Sequence, residues 1–263
     1  MRPLSARNPR IQRLARLARR GEERAAQRAL LVEGPVLLGT ALDAQVPLVD
    51  VYVDEAAWDR GAVAAVLERL PASVEPWLVP PGVLDRVGDA ATSQGITAVV
   101  ERREPPWPTP AATPFVLVLA EVSDPGNAGT LIRAAAAAGA GAVVVGGGVD
   151  PSSPKVVRSS AGAIFGIDVV DTLSSFDSVA KLRALGYRTA GMVVRDGTPH
   201  DAADLTGPLA VVLGNEAHGL SPELVATLDQ QLTIEMAGPT ESLNVAMAGT
   251  VVCFEVLRQR RRT

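Results

Sequence analysis

The sequence has little of the side-chain chemistry that disulfides and metal centres require. Its 263 residues include one cysteine, Cys253, and two histidines. A lone cysteine excludes an internal disulfide framework and is typical of a reducing compartment, so the expected location is the cytoplasm. Because zinc takes its ligands mainly from cysteine and histidine, we expect no metal site.

Long apolar runs are missing as well. No stretch approaches the roughly 18 residues that a membrane-spanning helix needs. Arg16 interrupts the apolar residues Leu14 and Leu17, so we also expect no signal peptide. Hydrophobic residues still make up 47% of the chain, which predicts one large or two modest globular domains with buried cores.

Positive charge is concentrated at the two ends of an acidic chain. The formal net charge is -4, yet residues 1–30 hold nine arginines and four more lie between Arg258 and Arg262. Within the first run, arginines recur at helical intervals at positions 10, 13, 20, 24 and 28. This distribution is typical of a local phosphate-binding surface, although a solvated helix face gives the same pattern.

Strands and helices alternate twice along the sequence, which predicts two α/β domains. Residues 1–103 read as a basic helix followed by a small α/β unit without a catalytic constellation. A charged, proline-rich run then predicts a linker at residues 104–113. Residues 114–263 predict about six strands, and the near-continuous apolar runs at 115–120 and 142–145 indicate a parallel sheet buried on both faces.

Polar residues cluster where helices of the second domain begin or strands end, which is where open parallel sheets bind ligands. The three segments are Asp124–Arg133, Leu213–Gly219 and Gly238–Ala248. Glycines in them let the main chain approach a ligand, and a helix N-terminus favours an anion. Asn244 also has a simpler interpretation as a helix N-cap.

Neither histidine has metal-ligand spacing, and His218 is interpreted as a surface or hydrogen-bonding residue. Dinucleotide and phosphate-loop glycine motifs are absent from the sequence.

Together the three segments resemble the SpoU (TrmH-like) RNA 2′-O-methyltransferases. The family patterns Asn-x-Gly-x-x-x-Arg, Leu-Gly-x-Glu-x-x-Gly and Ser-Leu-Asn-Val occur here in that order, over about residues 114–260. They are carried by Asn127, Gly129 and Arg133, by Leu213, Gly214, Glu216 and Gly219, and by Ser242, Leu243, Asn244 and Val245. The stretches around Glu33 and Arg158 are also similar to the family. Glu235 and Ala246 depart from common family residues.

The resemblance implies a parallel sheet with a trefoil knot, whose loops near residues 191–196, 213–219 and 234–244 hold S-adenosylmethionine. The cofactor-binding residues that it implies are Leu213, Gly214, Ile234, Met236, Ser242, Leu243 and Asn244. It also implies a homodimer with the C-terminal helix in the interface, so that Cys253 is a packing residue. The N-terminal domain is similar to the family's RNA-binding domain.

The implied reaction is methylation of a ribose 2′-hydroxyl in structured RNA, ribosomal RNA being preferred over tRNA. Arg133 is the implied key residue, with Asn127 and Glu216 orienting it and the substrate, while Ser242 and Asn244 fix the cofactor loop. Because arginine is a poor base, we expect Arg133 to bind a phosphate and stabilise the alkoxide instead. A non-catalytic RNA-binding or ribosome-assembly factor and an antibiotic-resistance methyltransferase remain as alternatives.

Overall fold

The computed structural model describes residues 1–88 and 93–262, which divide into two units. The first unit contains residues 1–103 together with 152–165, and the second contains residues 104–151 and 166–263. The sequence pattern predicts the segment 152–165 as part of the second domain. It belongs with the first unit because Val157 and Phe165 are buried in the same core as Leu30 and Val32.

The first unit is built on a five-stranded mixed sheet with the strand order β1-β4-β3-β5-β2. Strand β5 runs antiparallel to β2 and β3, and β4 runs parallel to β1 and β3. The strands are β1 (Arg2–Pro3), β2 (Ala29–Glu33), β3 (Leu48–Asp54), β4 (Trp77–Val79) and β5 (Ile96–Glu101). The helices are α1 (Pro9–Arg19), α2 (Gly21–Gln27), α3 (Pro35–Asp43), α4 (Gly61–Leu67) and α5 (Val83–Val87), with α7 (Pro154–Ser159) and a short 3₁₀ helix (Ala163–Phe165) from the inserted segment.

The basic N-terminal segment is used partly for folding. Arg10 and Arg13 bind the two carboxylate oxygens of Asp50 at 2.9 and 2.7 Å. Arg24 is buried and donates hydrogen bonds to the carbonyls of Leu17 and Ala18. The basic helix expected from the sequence is therefore two helices, α1 and α2, and part of its positive charge faces the protein interior.

The second unit is built on a seven-stranded sheet with the order β10-β12-β9-β11-β6-β7-β8. Every pairing within this sheet is parallel, which confirms the predicted α/β fold class. Its strands are β6 (Phe115–Ala120), β7 (Ala142–Gly146), β8 (Asp168–Thr172), β9 (Arg188–Met192), β10 (Thr198–Pro199), β11 (Leu209–Leu213) and β12 (Gln230–Thr233). Its helices are α6 (Pro125–Ala137), α8 (Ser175–Ala184), α9 (Pro222–Val225) and α10 (Val245–Arg260).

The central strands of this sheet are apolar on both faces. All residues of β6, β7 and β11 are buried. Helices α6 and α10 pack together, and Gly249 lies where a side chain would overlap Leu131 and Leu213. Among the described residues, no helix combines the length and apolarity needed to cross a membrane.

Candidate functional site

The loops that follow β6 and β11 begin side by side. These two strands are paired in parallel with Leu119 opposite Leu213, so their carboxyl ends lie at the same edge of the sheet. The loop after β11 is closed by paired main-chain hydrogen bonds between Asn215 and Gly219, of 3.0 and 2.9 Å. This geometry places the two loops within side-chain reach of each other.

Glu216 joins the two loops by accepting four hydrogen bonds, three from the β6 loop and one from the first turn of α6. One carboxylate oxygen accepts from the main-chain N–H and the hydroxyl of Ser123, at 3.0 and 2.9 Å. The other accepts from the main-chain N–H of Asp124 and from the Asn127 side-chain amide, both at 3.0 Å. Partial burial alone would raise the pKa of Glu216, but the bonds from Asn127, Ser123 and Asp124 outweigh it and lower the pKa to about 2.

Replacing Glu216 with glutamine tests this junction. Two of the four donors would then face an amide N–H₂ group, so we expect the free energy of unfolding at pH 7 to fall by about 1 kcal/mol. A carboxylate with a lowered pKa stabilises the fold above its unfolded pKa of about 4.5, and this contribution is lost as the pH falls toward 2. Urea unfolding between pH 7 and 2 should therefore show the free energy of unfolding of the wild type converging on that of Glu216→Gln.

The exposed residue Glu235 provides the control, since the free energy of unfolding of Glu235→Gln should follow that of the wild type throughout. A constant difference between wild type and Glu216→Gln across this range would contradict the assignment.

Asn127 and Asn244 connect the third segment to the same network. Asn127 lies in the first turn of α6, where its main-chain N–H donates to the N-cap residue Asp124 at 2.8 Å. Its side-chain oxygen accepts a hydrogen bond of 3.1 Å from Asn244. Asn244 is also the N-cap of α10, because its side-chain oxygen accepts from the main-chain N–H of Ala246 at 2.9 Å. Asn244 therefore both caps α10 and forms part of the site.

Arg133 lies apart from this network. It is exposed on α6, and its side chain forms no hydrogen bond or ion pair with residues 1–88 or 93–262. The side chains of Asn127 and Glu216 do not hydrogen-bond to Arg133, because they bond to each other, to Ser123 and Asp124, and to Asn244. Their implied role in orienting Arg133 and the substrate stays a prediction.

A cavity of about 340 Å³ opens beside the network, within the usual size range of small-molecule sites. It is lined by residues from the β9, β11 and β12 loops and from the start of α10. Six of the seven residues predicted to bind a cofactor lie on its walls: Leu213, Gly214, Ile234, Met236, Ser242 and Leu243. The seventh, Asn244, does not line it, because its side chain is turned toward Asn127 and the α10 cap.

Gly214 shows how closely the cavity wall is packed. A side chain at this position would overlap the main chain of Gly219 and Leu220. Glycine therefore allows the loop to fold back on itself and presents main-chain groups to the cavity. Among the described residues, no group of histidine, cysteine, aspartate or glutamate side chains is arranged to hold a metal ion.

Several residues of the site have no signal of their own in the sequence motifs. Ser123 donates to Glu216, and Asn215 donates to the carbonyl of Glu121 at 3.0 Å. His218 and Glu241 line the cavity. Asn215 and His218 lie inside the second motif, and Ser123 directly precedes the first segment. Their position next to motif residues is the one feature of the sequence that points to a place in the site.

Comparison with known families gives two matches that together cover most of the chain. A model described as the SpoU rRNA Methylase family matches residues 114–254. A second model, described as an MRM3-like substrate binding domain, matches residues 8–98.

Individual relatives and solved structures agree with these matches. The chain is 33% identical to the 23S rRNA (guanosine(2553)-2′-O)-methyltransferase RlmP of Bacillus subtilis, over 78% of this chain and 84% of that protein. It is similar to the SpoU methyltransferase AviRb from Streptomyces viridochromogenes in complex with AdoMet, with a TM-score of 0.87, 28% identity, and coverage of 97% of this chain and 99% of the other. An AdoMet-bound rRNA methyltransferase from Sinorhizobium meliloti has a TM-score of 0.83 and 26% identity, covering 98% of this chain and 97% of the other.

Proposed function

The chain belongs to the SpoU rRNA methylase family, and we propose from this membership and from the site that it methylates a ribose 2′-hydroxyl of ribosomal RNA. The observation that carries the proposal is that the loops of the second and third motifs together line one cavity. This cavity lies beside the hydrogen-bond network of Glu216, Asn127 and Asn244. The relative RlmP is named as a 23S rRNA 2′-O-methyltransferase. An enzyme of this class has S-adenosylmethionine as its methyl donor.

The cavity suits S-adenosylmethionine by size and by wall chemistry. Two similar solved structures contain this compound. Ile234, Met236 and Leu243 supply apolar surface, while Gly214 brings main-chain groups to the cavity. We propose that Ser242 contacts the bound cofactor and that Asn244 acts indirectly, by holding the start of α10. The family fold also implies that the loops near residues 191–196, 213–219 and 234–244 form a trefoil knot.

The sulfonium of S-adenosylmethionine supplies an activated methyl group, which leaves two tasks to the protein. It must hold the ribose hydroxyl in line with the methyl group and manage the charge that develops on oxygen. Arg133 is exposed and is not committed to any ion pair with the described residues, so its guanidinium is available for an RNA phosphate. Asn127 and Glu216 hold the start of the helix that carries Arg133, and thereby position it from a distance.

We also propose that residues 1–103 select the RNA and that residues 114–263 carry out the transfer, with 104–113 as the linker. The match of residues 8–98 to a substrate binding domain supports this division. Arg7 and Arg20 are exposed and their side chains form no hydrogen bond or ion pair with the described part of the chain, so they are available to phosphates. Arg10 and Arg13 contribute less, because Asp50 neutralises part of their charge.

We propose that the protein is a cytoplasmic homodimer with α10 in the interface. Three apolar side chains form an exposed stripe along this helix: Met247, Val251 and Phe254 are 63%, 39% and 46% exposed. Their spacing of four and three residues places them on one face. A contiguous apolar face of this kind is typical of a contact surface.

Placing a charge on this stripe should separate the subunits. We expect Phe254→Glu to shift the protein from dimer to monomer in sedimentation velocity at micromolar concentration, because a carboxylate would be desolvated in the interface. Leu173→Glu is the control, since Leu173 is fully exposed at 101% and lies on the loop before α8. A Phe254→Glu protein that sediments as the wild type would exclude α10 from the interface.

Methyl transfer itself tests the proposed function. Labelled S-adenosylmethionine and ribosomal RNA from a strain lacking the protein should yield one stoichiometric 2′-O-methyl group, which ribose-methylation mapping then locates. The affinity for RNA should fall steeply with added salt, because phosphate contacts release counterions. Tight RNA binding without methyl transfer would favour the ribosome-assembly alternative instead.

A further inference from the structure

A row of arginines at intervals of three residues begins just before α1 and continues along that helix. Its members, called the arginine ridge below, are Arg7, Arg10, Arg13, Arg16 and Arg19. Within the described part of the chain, the side chains of the ridge form ion pairs with two carboxylates, those of Asp50 and Glu23. Five positive charges facing two negative ones leave a surface that a strand of phosphates can neutralise.

One member of the ridge differs from the others, because Arg10 lies over an aromatic ring. Its guanidinium carbon is 4.5 Å from the centroid of the Trp77 ring, which is a cation–π contact. Arg10 and the indole N–H of Trp77 donate to the same oxygen of Asp50, at 2.9 and 3.0 Å. Arg13 donates to the other oxygen at 2.7 Å, and Asp50 itself is buried. The Arg10 guanidinium is therefore fixed in place by the protein alone.

The side of Arg10 that is turned away from Trp77 remains open. The Arg10 side chain is 46% exposed although the indole covers one of its sides. Unpaired RNA bases stack on guanidinium planes as they do on aromatic rings. A base that is splayed out of a loop or bulge can therefore extend the stack of Trp77 and Arg10. A base inside a continuous duplex is already stacked on its neighbours and cannot reach it.

Other members of the ridge are better suited than Arg10 to bind phosphates. The charge of Arg10 is offset in part by Asp50, and its Nη1 is already used there. Arg7 is exposed and has no side-chain partner within residues 1–88 or 93–262. Arg19 donates to the main-chain carbonyl of Arg86 at 3.1 Å, a contact that leaves its charge unneutralised. The ridge thus combines sites for phosphates with one site for a planar group.

We propose that Arg10 and Trp77 form a stacking platform for one unpaired base of the RNA substrate, an inference that rests on the proposed function. The rest of the arginine ridge follows the phosphates next to that base. The substrate class is then a structured RNA with a single-stranded loop or bulge, and not an uninterrupted duplex. Arg10 contacts the base, while Trp77 and Asp50 are positioning residues.

Two RNA hairpins with the same stem test the stacking platform. The loop of the first contains the fluorescent base 2-aminopurine, and the loop of the second contains abasic nucleotides. We expect the wild type to bind the first about tenfold more tightly, the scale of one stacked base, and to quench its fluorescence. Arg10→Lys keeps the charge and can still pair with Asp50 but has no planar group. It should bind both hairpins equally and leave the fluorescence unchanged.

Two further variants provide the controls. Arg7→Ala should weaken the binding of both hairpins equally, keep the quenching, and lower the slope of log affinity against log salt by about one. Trp58 is 47% exposed and is the other aromatic residue of this unit that could stack on a base, but Trp58→Ala should keep the tenfold preference. Equal binding of the two hairpins by the wild type would overturn the proposal. So would a preference that survives in Arg10→Lys or is lost in Trp58→Ala.

Methylation of ribosomal RNA separates this inference from the proposed function. Arg10 belongs to the first unit, whereas the cavity is lined by residues of the second, so Arg10→Lys should raise KM for ribosomal RNA about tenfold with little change in kcat. A wild type that methylates ribosomal RNA but binds both hairpins equally would overturn the stacking platform alone. A wild type that transfers no methyl group would overturn the proposed function itself.

Discussion

Arg133→Ala is expected to lower the single-turnover methylation rate by about a hundredfold or more while leaving the fold intact. This is the scale for removing a preorganised donor that stabilises developing charge. The structure supports the expectation that the fold stays intact, because Arg133 is exposed and no described residue pairs with its side chain. Substitutions at such surface positions usually change the free energy of unfolding by no more than about 0.5 kcal/mol.

A lysine at the same position distinguishes charge from geometry. Arg133→Lys keeps the positive charge but loses the planar, two-pronged donor set, so we expect little recovery if a phosphate is bound in bidentate fashion. Arg183→Ala is the control, because Arg183 is an exposed arginine of α8, in the same unit as Arg133, and neither it nor its ion-pair partner Asp229 lines the cavity. Near wild-type turnover by Arg133→Ala would show that Arg133 is only a surface charge and would refute the mechanism.

Gly214→Ala is expected to abolish measurable binding of S-adenosylmethionine in calorimetry, a loss of at least about a hundredfold in affinity. Even one methyl group would overlap the main chain of Gly219 and Leu220, so the loop must move away from the cavity. The same movement would pull Glu216 from its four donors, and methylation should be lost together with binding. The buried strands of the sheet should survive, since the clash lies beyond the end of β11.

A tolerated glycine substitution supplies the comparison. At Gly61, which lies in the first turn of α4, no atom comes within 4 Å of the position that a side-chain methyl group would take. Gly61→Ala should therefore bind the cofactor like the wild type. Circular dichroism of both variants would check that secondary structure is retained. Unchanged affinity in Gly214→Ala would show that the cofactor does not use this cavity.

Elements with a strong local signal were predicted nearly to the residue. The apolar sequence predicts strands at 115–120 and at 209–213, and these are the bounds of β6 and β11. Continuous burial on both faces demands continuous apolar sequence. The sequence also favours a helix over residues 222–229, but α9 ends earlier, at Val225. There the tertiary structure overrides local preference, since Asp229 is held by Thr189 of β9 through main-chain and side-chain hydrogen bonds.

The order of strands and the contacts of the site were beyond local sequence patterns. Periodicity says nothing about which strands are neighbours, and the two-residue strand β10 is too short to show any period. The motifs located the loops correctly, but not the partners of their side chains. The motif did not predict that Glu216 closes one loop onto another, because this role depends on Ser123 and Asp124 lying opposite it in space.

The segment 152–165 has a consequence for the order in which the chain folds during synthesis. The core of the first unit contains Val157 and Phe165, so it cannot be completed when residue 103 leaves the ribosome. By the time these residues emerge, β6, α6 and β7 have already been made. The N-terminal unit therefore has to wait, partly assembled, for a segment that is translated between two parts of the second unit. Ribosome-associated chaperones would meet it in that incomplete form, with the apolar face of β2 still open.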